Sequence, residues 1–128
     1  MPKATEFCVA LDNKPGTLAK LTTSLAKAKV NVTAISTSEN TQCNWIRLVA
    51  APAPRVKKVL SRGRYHFCSQ PVLTVAVPNQ PGRLALVAGR LAKAGVNINY
   101  VYGSSGRDAS PVLIFNVSDL AKAAKVVS

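Results

Sequence analysis

The sequence predicts an α+β protein made of two copies of one small strand–turn–helix–strand unit. Three observations carry that reading. First, VALDNKPGTLAKLTTSLAKAKVNV, from Val9 to Val32, returns as VAVPNQPGRLALVAGRLAKAGVNI, from Val75 to Ile98. With Pro15 laid on Pro81 the copies run together without a gap, and more than half of the aligned positions are identical. A repeat of this length seen twice points to duplication of a small domain, because solenoids need at least three units. Second, both copies change hydrophobic period at the same place. Val9-Ala10-Leu11 and Val75-Ala76-Val77 are short apolar runs that read as buried strands. Leu18, Leu21, Leu25 and Ala28 then recur three or four apart, as on one helical face, and Leu84, Val87, Leu91 and Ala94 repeat them. Third, Asn, Pro and Gly punctuate the change of period in each copy.

Each element has a local reason. Ala4 to Leu11 reads as the first strand. Pro15 and Gly16 shape the turn after it: proline suits a helix start, where its missing N–H leaves no bond unmade, and glycine lets the chain turn sharply. The first helix is expected over Pro15 to Ala28, with Lys29 ending it, and the second strand over Val30 to Ser38. A polar turn, Glu39 to Gln42, leads into a hairpin partner from Cys43 to Ala50. The run Ala51-Pro52-Ala53-Pro54 interrupts that strand, since proline cannot donate to a ladder. Arg55 to Ser61 reads as a short basic helix and Arg64 to Ser69 as a fourth strand. Gln70-Pro71 marks the boundary between a domain over residues 1–70 and one over 71–128.

The second domain repeats the order: strand Val72 to Val77, helix Pro81 to Ala94 ended by Gly95, and strand Val96 to Tyr102. A Gly/Ser-rich hairpin loop, Gly103 to Ser110, leads to a strand from Pro111 to Val117. Ser118-Asp119 caps a last helix, Leu120 to Val127, and no fourth strand follows. In this reading Val72 to Val77 has an apolar edge that soluble proteins normally cover. Another strand or a partner subunit is therefore expected to cover it, in a homodimer or larger closed oligomer, twofold symmetry being the commonest closure.

The pattern N-x-P-G-x-L, then a helix, then V-N-[VI], present twice, resembles the ACT domain, a small ligand-binding module. The resemblance covers nearly the whole chain and is nearest to small stand-alone tandem-ACT proteins. It implies two tandem ferredoxin-like βαββαβ units, the second lacking its last strand. It also implies a ligand, a free amino acid or similar small carboxylate, lying against the turn and helix start near an interface between domains. The matching residues are Asn13, Lys14, Pro15, Gly16 and Asn31 in the first copy, and Asn79, Gln80, Pro81, Gly82 and Asn97 in the second. The chemistry agrees with that placement. A helix start presents unpaired N–H groups and a partial positive charge, where a carboxylate fits. Asparagine offers donors and an acceptor, which suits a zwitterion. The competing reading makes these residues helix caps and turn formers in a dimerisation module that binds nothing.

Other chemistries find little support. The chain has one histidine, His66, and five acidic residues, and no motif for a nucleophile elbow, a zinc helix, a phosphate loop or a dinucleotide turn. No enzyme activity, cofactor or metal site is expected. Cys8, Cys43 and Cys68 lie in strands with no C-x-x-C spacing, and His66 with Cys68 makes only two metal ligands. The formal charge of +12 raises nucleic-acid binding as an alternative. The strands around Trp45 and Val112 to Phe115 lack the aromatic pattern on which ferredoxin-like sheets stack RNA bases, however, and the basic residues are spread over helices. No stretch reaches the roughly 20 apolar residues of a membrane span. Met1-Pro2-Lys3 leads straight into strand-like sequence, so a cytoplasmic location is expected.

Overall fold

The computed structural model describes residues 3–38, 43–104 and 111–127. The expected turn over Glu39 to Gln42, and Ser105 to Ser110 of the hairpin loop, lie outside the described residues. The elements are β1 (Lys3–Asp12), α1 (Thr17–Lys27), β2 (Asn31–Ser38), β3 (Cys43–Ala51), α2 (Ala53–Arg62), β4 (Phe67–Ala76), α3 (Arg83–Lys93), β5 (Ile98–Ser104), β6 (Val112–Val117) and α4 (Leu120–Val127). They gather into two compact units. One is Thr5–Gln70; the other is Pro71–Ser128 together with the first residues of β1.

In the Thr5–Gln70 unit the strand order is β2-β3-β1-β4. β3 lies antiparallel to β1, from Glu6 opposite Val49 to Asp12 opposite Cys43, and antiparallel to β2. β1 and β2 therefore run parallel on either side of β3, joined by the α1 crossover. This is the βαββαβ arrangement of a ferredoxin-like domain. Alternation along the strands decides which face carries the core. Phe7, Val9 and Leu11 of β1 and Ile46, Leu48 and Ala50 of β3 point to the helices, where Leu21 and Leu25 of α1 and Val56 and Leu60 of α2 meet them. Glu6, Cys8 and Ala10 take the other face.

In the second unit the order is β4-β6-β5. β6 pairs antiparallel with Leu73–Ala76 of β4 and with β5. Leu73, Val75 and Phe115 pack with Val87 and Leu91 of α3, Val96 and Ala123 of α4. Tyr100 and Tyr102 share one face of β5, and their rings stack with centroids 6.4 Å apart. Among the described residues this unit contains β4, β5 and β6, with α4 after them.

Three expectations from the sequence take a more definite form. The strands expected over Arg64 to Ser69 and Val72 to Val77 are one continuous β4, with Gln70 and Pro71 inside it. Proline is tolerated there because β6 pairs only from Leu73 onward, so Pro71 removes no bond from that ladder. The edge expected at Val72 to Val77 meets another strand of the chain: β1 and β4 are neighbours in the sheet, and the start of β1, Lys3 and Ala4, belongs to the same unit as Val72 to Val77. Finally, the two helical faces are buried only in part: Leu18 and Leu84 are 40% and 49% exposed, and burial begins one turn later at Leu21 and Val87. Both sit in the first turn of their helices, beside the Asn-x-Pro-Gly turns.

The helix ends show why the sequence stops each helix where it does. Lys29 (φ 59°), Arg64 (φ 57°) and Gly95 (φ 72°) all adopt the left-handed conformation just past α1, α2 and α3. Each is followed by a doubled closing bond. At α1, Lys29 N–H donates to the Ala26 carbonyl and Val30 N–H to the Leu25 carbonyl, both at 3.0 Å. Only the third of these positions has the residue that adopts this conformation without steric cost. Replacing Lys29 by glycine, the residue the second copy already uses, is expected to stabilise the protein by about 0.5–1 kcal/mol. Calorimetry should show the melting temperature rising by about 2–4 °C. An unchanged or lower value would mean that the lysine side chain contributes what its backbone costs.

Candidate functional site

The two Asn-x-Pro-Gly turns have the same backbone. In the first, Lys14 N–H donates to the Asp12 carbonyl at 2.9 Å, Thr17 N–H to the Lys14 carbonyl at 3.4 Å and Lys20 N–H to the Gly16 carbonyl at 2.9 Å. In the second, Gln80 donates to Pro78, Arg83 to Gln80 and Leu86 to Gly82 at the same three distances. Gly16 (φ 89°) and Gly82 (φ 87°) are the N-caps of α1 and α3, both left-handed, which explains the glycine at each. Neither helix start has a side-chain cap, and neither first turn contains an acidic residue. Asn13 and Asn79 are therefore not caps: each precedes its N-cap glycine by three positions. A Cβ placed on Gly16 or Gly82 would meet nothing within 4 Å. These glycines are required by the conformation, and the space beside them is open.

Side chains distinguish the two turns. Thr17 Oγ1 donates to the Asp12 carbonyl at 2.8 Å and the Lys14 carbonyl at 3.1 Å, bracing the first turn. At the matching position in the second, the Arg83 guanidinium donates twice to Gln80 Oε1, at 2.8 and 3.3 Å. Beside the first turn lies a cleft of about 270 Å³, lined in part by Asp12, Thr17, Lys20, Arg64, Tyr65 and His66. Beside the second lies one of about 340 Å³, with Asn79, Gln80, Arg83 and Leu84 among its lining. The first cleft has both signs of charge in its lining, Asp12 together with Lys20 and Arg64. The second has Pro78 where the first has Asp12, and Leu86 stands at the position of Lys20.

Asn13, Lys14, Pro15 and Gly16 form the first turn, and Asn79, Gln80, Pro81 and Gly82 the second; all eight are exposed. The strand asparagines are elsewhere. Asp12 pairs with Cys43 at one end of β3 and Asn31 with Ala51 at the other. That is roughly 26 Å, at about 3.3 Å per strand residue. In the second unit Ala76 pairs with Val112 while Ile98 pairs with Val117, so Asn97 is again at the far end, roughly 17 Å away. Asn97 also has local work. Its N–H donates to Ser118 Oγ at 2.9 Å, and its amide donates to Asn99 Oδ1 at 3.0 Å, whose own amide donates to Asn116 Oδ1 at 2.7 Å.

Thr17, Lys20, Arg64, Tyr65 and His66 were not among the ligand-site residues expected from the sequence. Lys20 was accessible to reasoning, since it follows Gly16 by one helical turn and shares its face. Arg64, Tyr65 and His66 arrive from the other end of the unit through the pairing of β4 with β1, which spacing does not reveal. Among the described residues, no three of His, Cys, Asp and Glu come together as metal ligands. No helix among them is long and apolar enough to cross a membrane.

Solved structures with the same fold are informative at two levels. Protein BT0572 from Bacteroides thetaiotaomicron is similar with a TM-score of 0.89 and 28% identity, over 98% of this chain and 86% of that one. The ligand-free regulatory subunit of aspartate kinase from Thermus thermophilus has a TM-score of 0.72 and 14% identity, over 99% and 91%. Aspartate kinase from Synechocystis has a TM-score of 0.67 and 17% identity, over 98% of this chain and 24% of that one. At these identities the two kinase structures show a common fold. No curated protein matches the chain. Residues 3–128 match the sequence model of the ACT domain pair, and the chain belongs to that family.

Proposed function

We propose that this ACT domain pair is a non-catalytic regulatory protein that binds a free amino acid, with its principal site at the turn that opens α1. The observation that carries the reading is the cleft beside that turn. Its lining brings Asp12, Lys20 and Arg64 together next to a helix start that no side chain caps. A zwitterion needs that arrangement: its carboxylate is drawn to the cations and the positive end of the helix, its ammonium to Asp12. The second turn repeats the backbone without the acid, so it fits a small carboxylate less selectively. Exposed Leu18 and Leu84, beside the two turns, supply apolar surface for a ligand side chain.

The rest of the reading follows from the distance of Asn31 and Asn97 from their own turns. A second copy of the chain, as a homodimer, would bring a strand asparagine to each turn and link ligand binding to assembly. Thermal-shift measurements against the twenty amino acids test the proposal, because a ligand specific for the folded state raises the melting temperature. For an amino acid that binds, replacing Lys20 by alanine or Asp12 by asparagine is expected to weaken affinity about three- to ten-fold in calorimetric titration. Unchanged affinity in both variants would remove the site from the first turn. The same protein titrated with RNA at rising salt addresses the polyanion alternative, whose affinity would fall steeply through counterion release. Tight RNA binding at physiological salt with no response to any amino acid would make that alternative the better account. We assign the protein to the cytoplasm as part of the same proposal.

A further inference from the structure

Cys8 and Cys68 stand outside the candidate site, and the strand register makes them a pair. Ala10 N–H donates to the His66 carbonyl at 3.0 Å, and Gln70 Nε2 donates to Glu6 Oε1 at 2.9 Å. These contacts step in opposite directions along β1 and β4, as antiparallel strands do, and Cys8 lies opposite Cys68 midway between them. Cys8 lies between the core residues Phe7 and Val9 in sequence, so its side chain is on the sheet face away from the helices. Cys68 is close enough to Cys8 to be among the groups that raise its thiol. Directly opposed residues in antiparallel strands have Cα atoms about 5.5 Å apart and Cβ atoms about 4.5–5.5 Å apart. A disulfide needs Cα atoms within about 4.4–6.8 Å and Cβ atoms about 3.5–4.5 Å apart, so closure asks for a shift of about 1 Å.

We propose that Cys8 and Cys68 are a site of reversible oxidation, closed by a peroxide to an intrachain disulfide that ties β1 to β4. The two thiols have unequal roles. Cys68 is exposed and Cys8 half-buried. Burial, then the neighbouring Cys68 and Glu6, raise the Cys8 thiol to about 11, so it stays protonated near neutral pH. Cys68 is therefore the sulfur that meets the oxidant. Its thiolate attacks one peroxide oxygen, the O–O bond breaks, and a sulfenic acid forms as the other oxygen leaves as water. The Cys8 sulfur then attacks the Cys68 sulfur, the S–S bond forms, and hydroxide leaves as water with the Cys8 proton. Two thiols and one hydrogen peroxide become one disulfide and two waters.

The experiment treats the full chain with hydrogen peroxide, blocks remaining thiols with an alkylating reagent and reads intact mass and peptide maps. Before alkylation the mass is expected to fall by about 2 Da, for the two hydrogens lost. Reactive thiols should drop from the three of the sequence to a single one. Mapping should join the Cys8 and Cys68 peptides, and dithiothreitol should restore all thiols. Cys43→Ser should form the same bond, and Cys68→Ser, at an exposed position that tolerates the change, should not. Should Cys8→Ser fold poorly, the Cys68→Ser result decides alone. A bond that persists in Cys68→Ser, a linkage through Cys43, oxygen addition without a bond, or only covalent dimers would each overturn the proposal.

Discussion

Truncating Phe115 to alanine is expected to cost about 3–5 kcal/mol, the largest single effect foreseen for this chain. The ring is 0% exposed and packs in a cluster of mostly small aliphatic side chains: Leu73, Val75, Val87, Leu91, Val96 and Ala123. None of these is long enough to fold into the space a phenyl ring leaves, so the cavity persists and adds to the lost burial. Phe7, equally buried in the Thr5–Gln70 unit, should behave alike when truncated. Urea denaturation followed by circular dichroism measures both, through a fall in midpoint at an unchanged slope. Leu86→Ala is the control, since Leu86 is 44% exposed and its loss should stay within about 0.5 kcal/mol. If Phe115→Ala and Leu86→Ala shifted the midpoint equally, the packing described for the second unit would be wrong.

Replacing Gln70 by leucine should cost about 1.5–3 kcal/mol, despite adding apolar surface. Glu6 is the one charged side chain among the described residues that is fully buried. Its Oε1 accepts a hydrogen bond from Gln70 Nε2 at 2.9 Å and a weaker one from Cys8 Sγ at 3.8 Å. Leucine matches glutamine in size but takes away the donor, and a buried carboxylate that loses a donor bears a desolvation penalty no packing offsets. Changing Glu6 to glutamine instead keeps an acceptor for Gln70 and removes the charge. That variant should be the milder of the two, and the same urea series compares them. A Gln70→Leu protein as stable as the parent would show that the carboxylate is satisfied without this bond.

How much of this was legible beforehand depends on the range over which each feature is encoded. The Asn-x-Pro-Gly turns were readable because glycine at φ near 90° and proline at a helix start are local necessities, met within five residues. The ends of α1 and α3 were readable for the same reason. The exposure of Leu18 and Leu84 was not readable, because helical spacing says which residues share a face, but not where along that face the sheet beneath begins. Gln70-Pro71 was read as a boundary with a separate strand on either side, whereas β4 runs through it and the ladder with β6 starts at Leu73.

By itself the sequence determined the duplication, the α+β class, the order of elements and the two matching turns, all of which rest on periodicity and backbone preference. Tertiary structure alone decided what surrounds those turns and what faces across the sheet. The pairing of β1 with β4 joins residues about sixty positions apart in the chain, and that register carries Arg64 and His66 to the first turn, Gln70 to Glu6 and Cys68 to Cys8. A shift of one residue in that register would turn each of these side chains to the opposite face. No local pattern encodes such a register, because it depends on burying Phe7, Val9 and Leu11 of β1 and packing Phe67 of β4 against the same core.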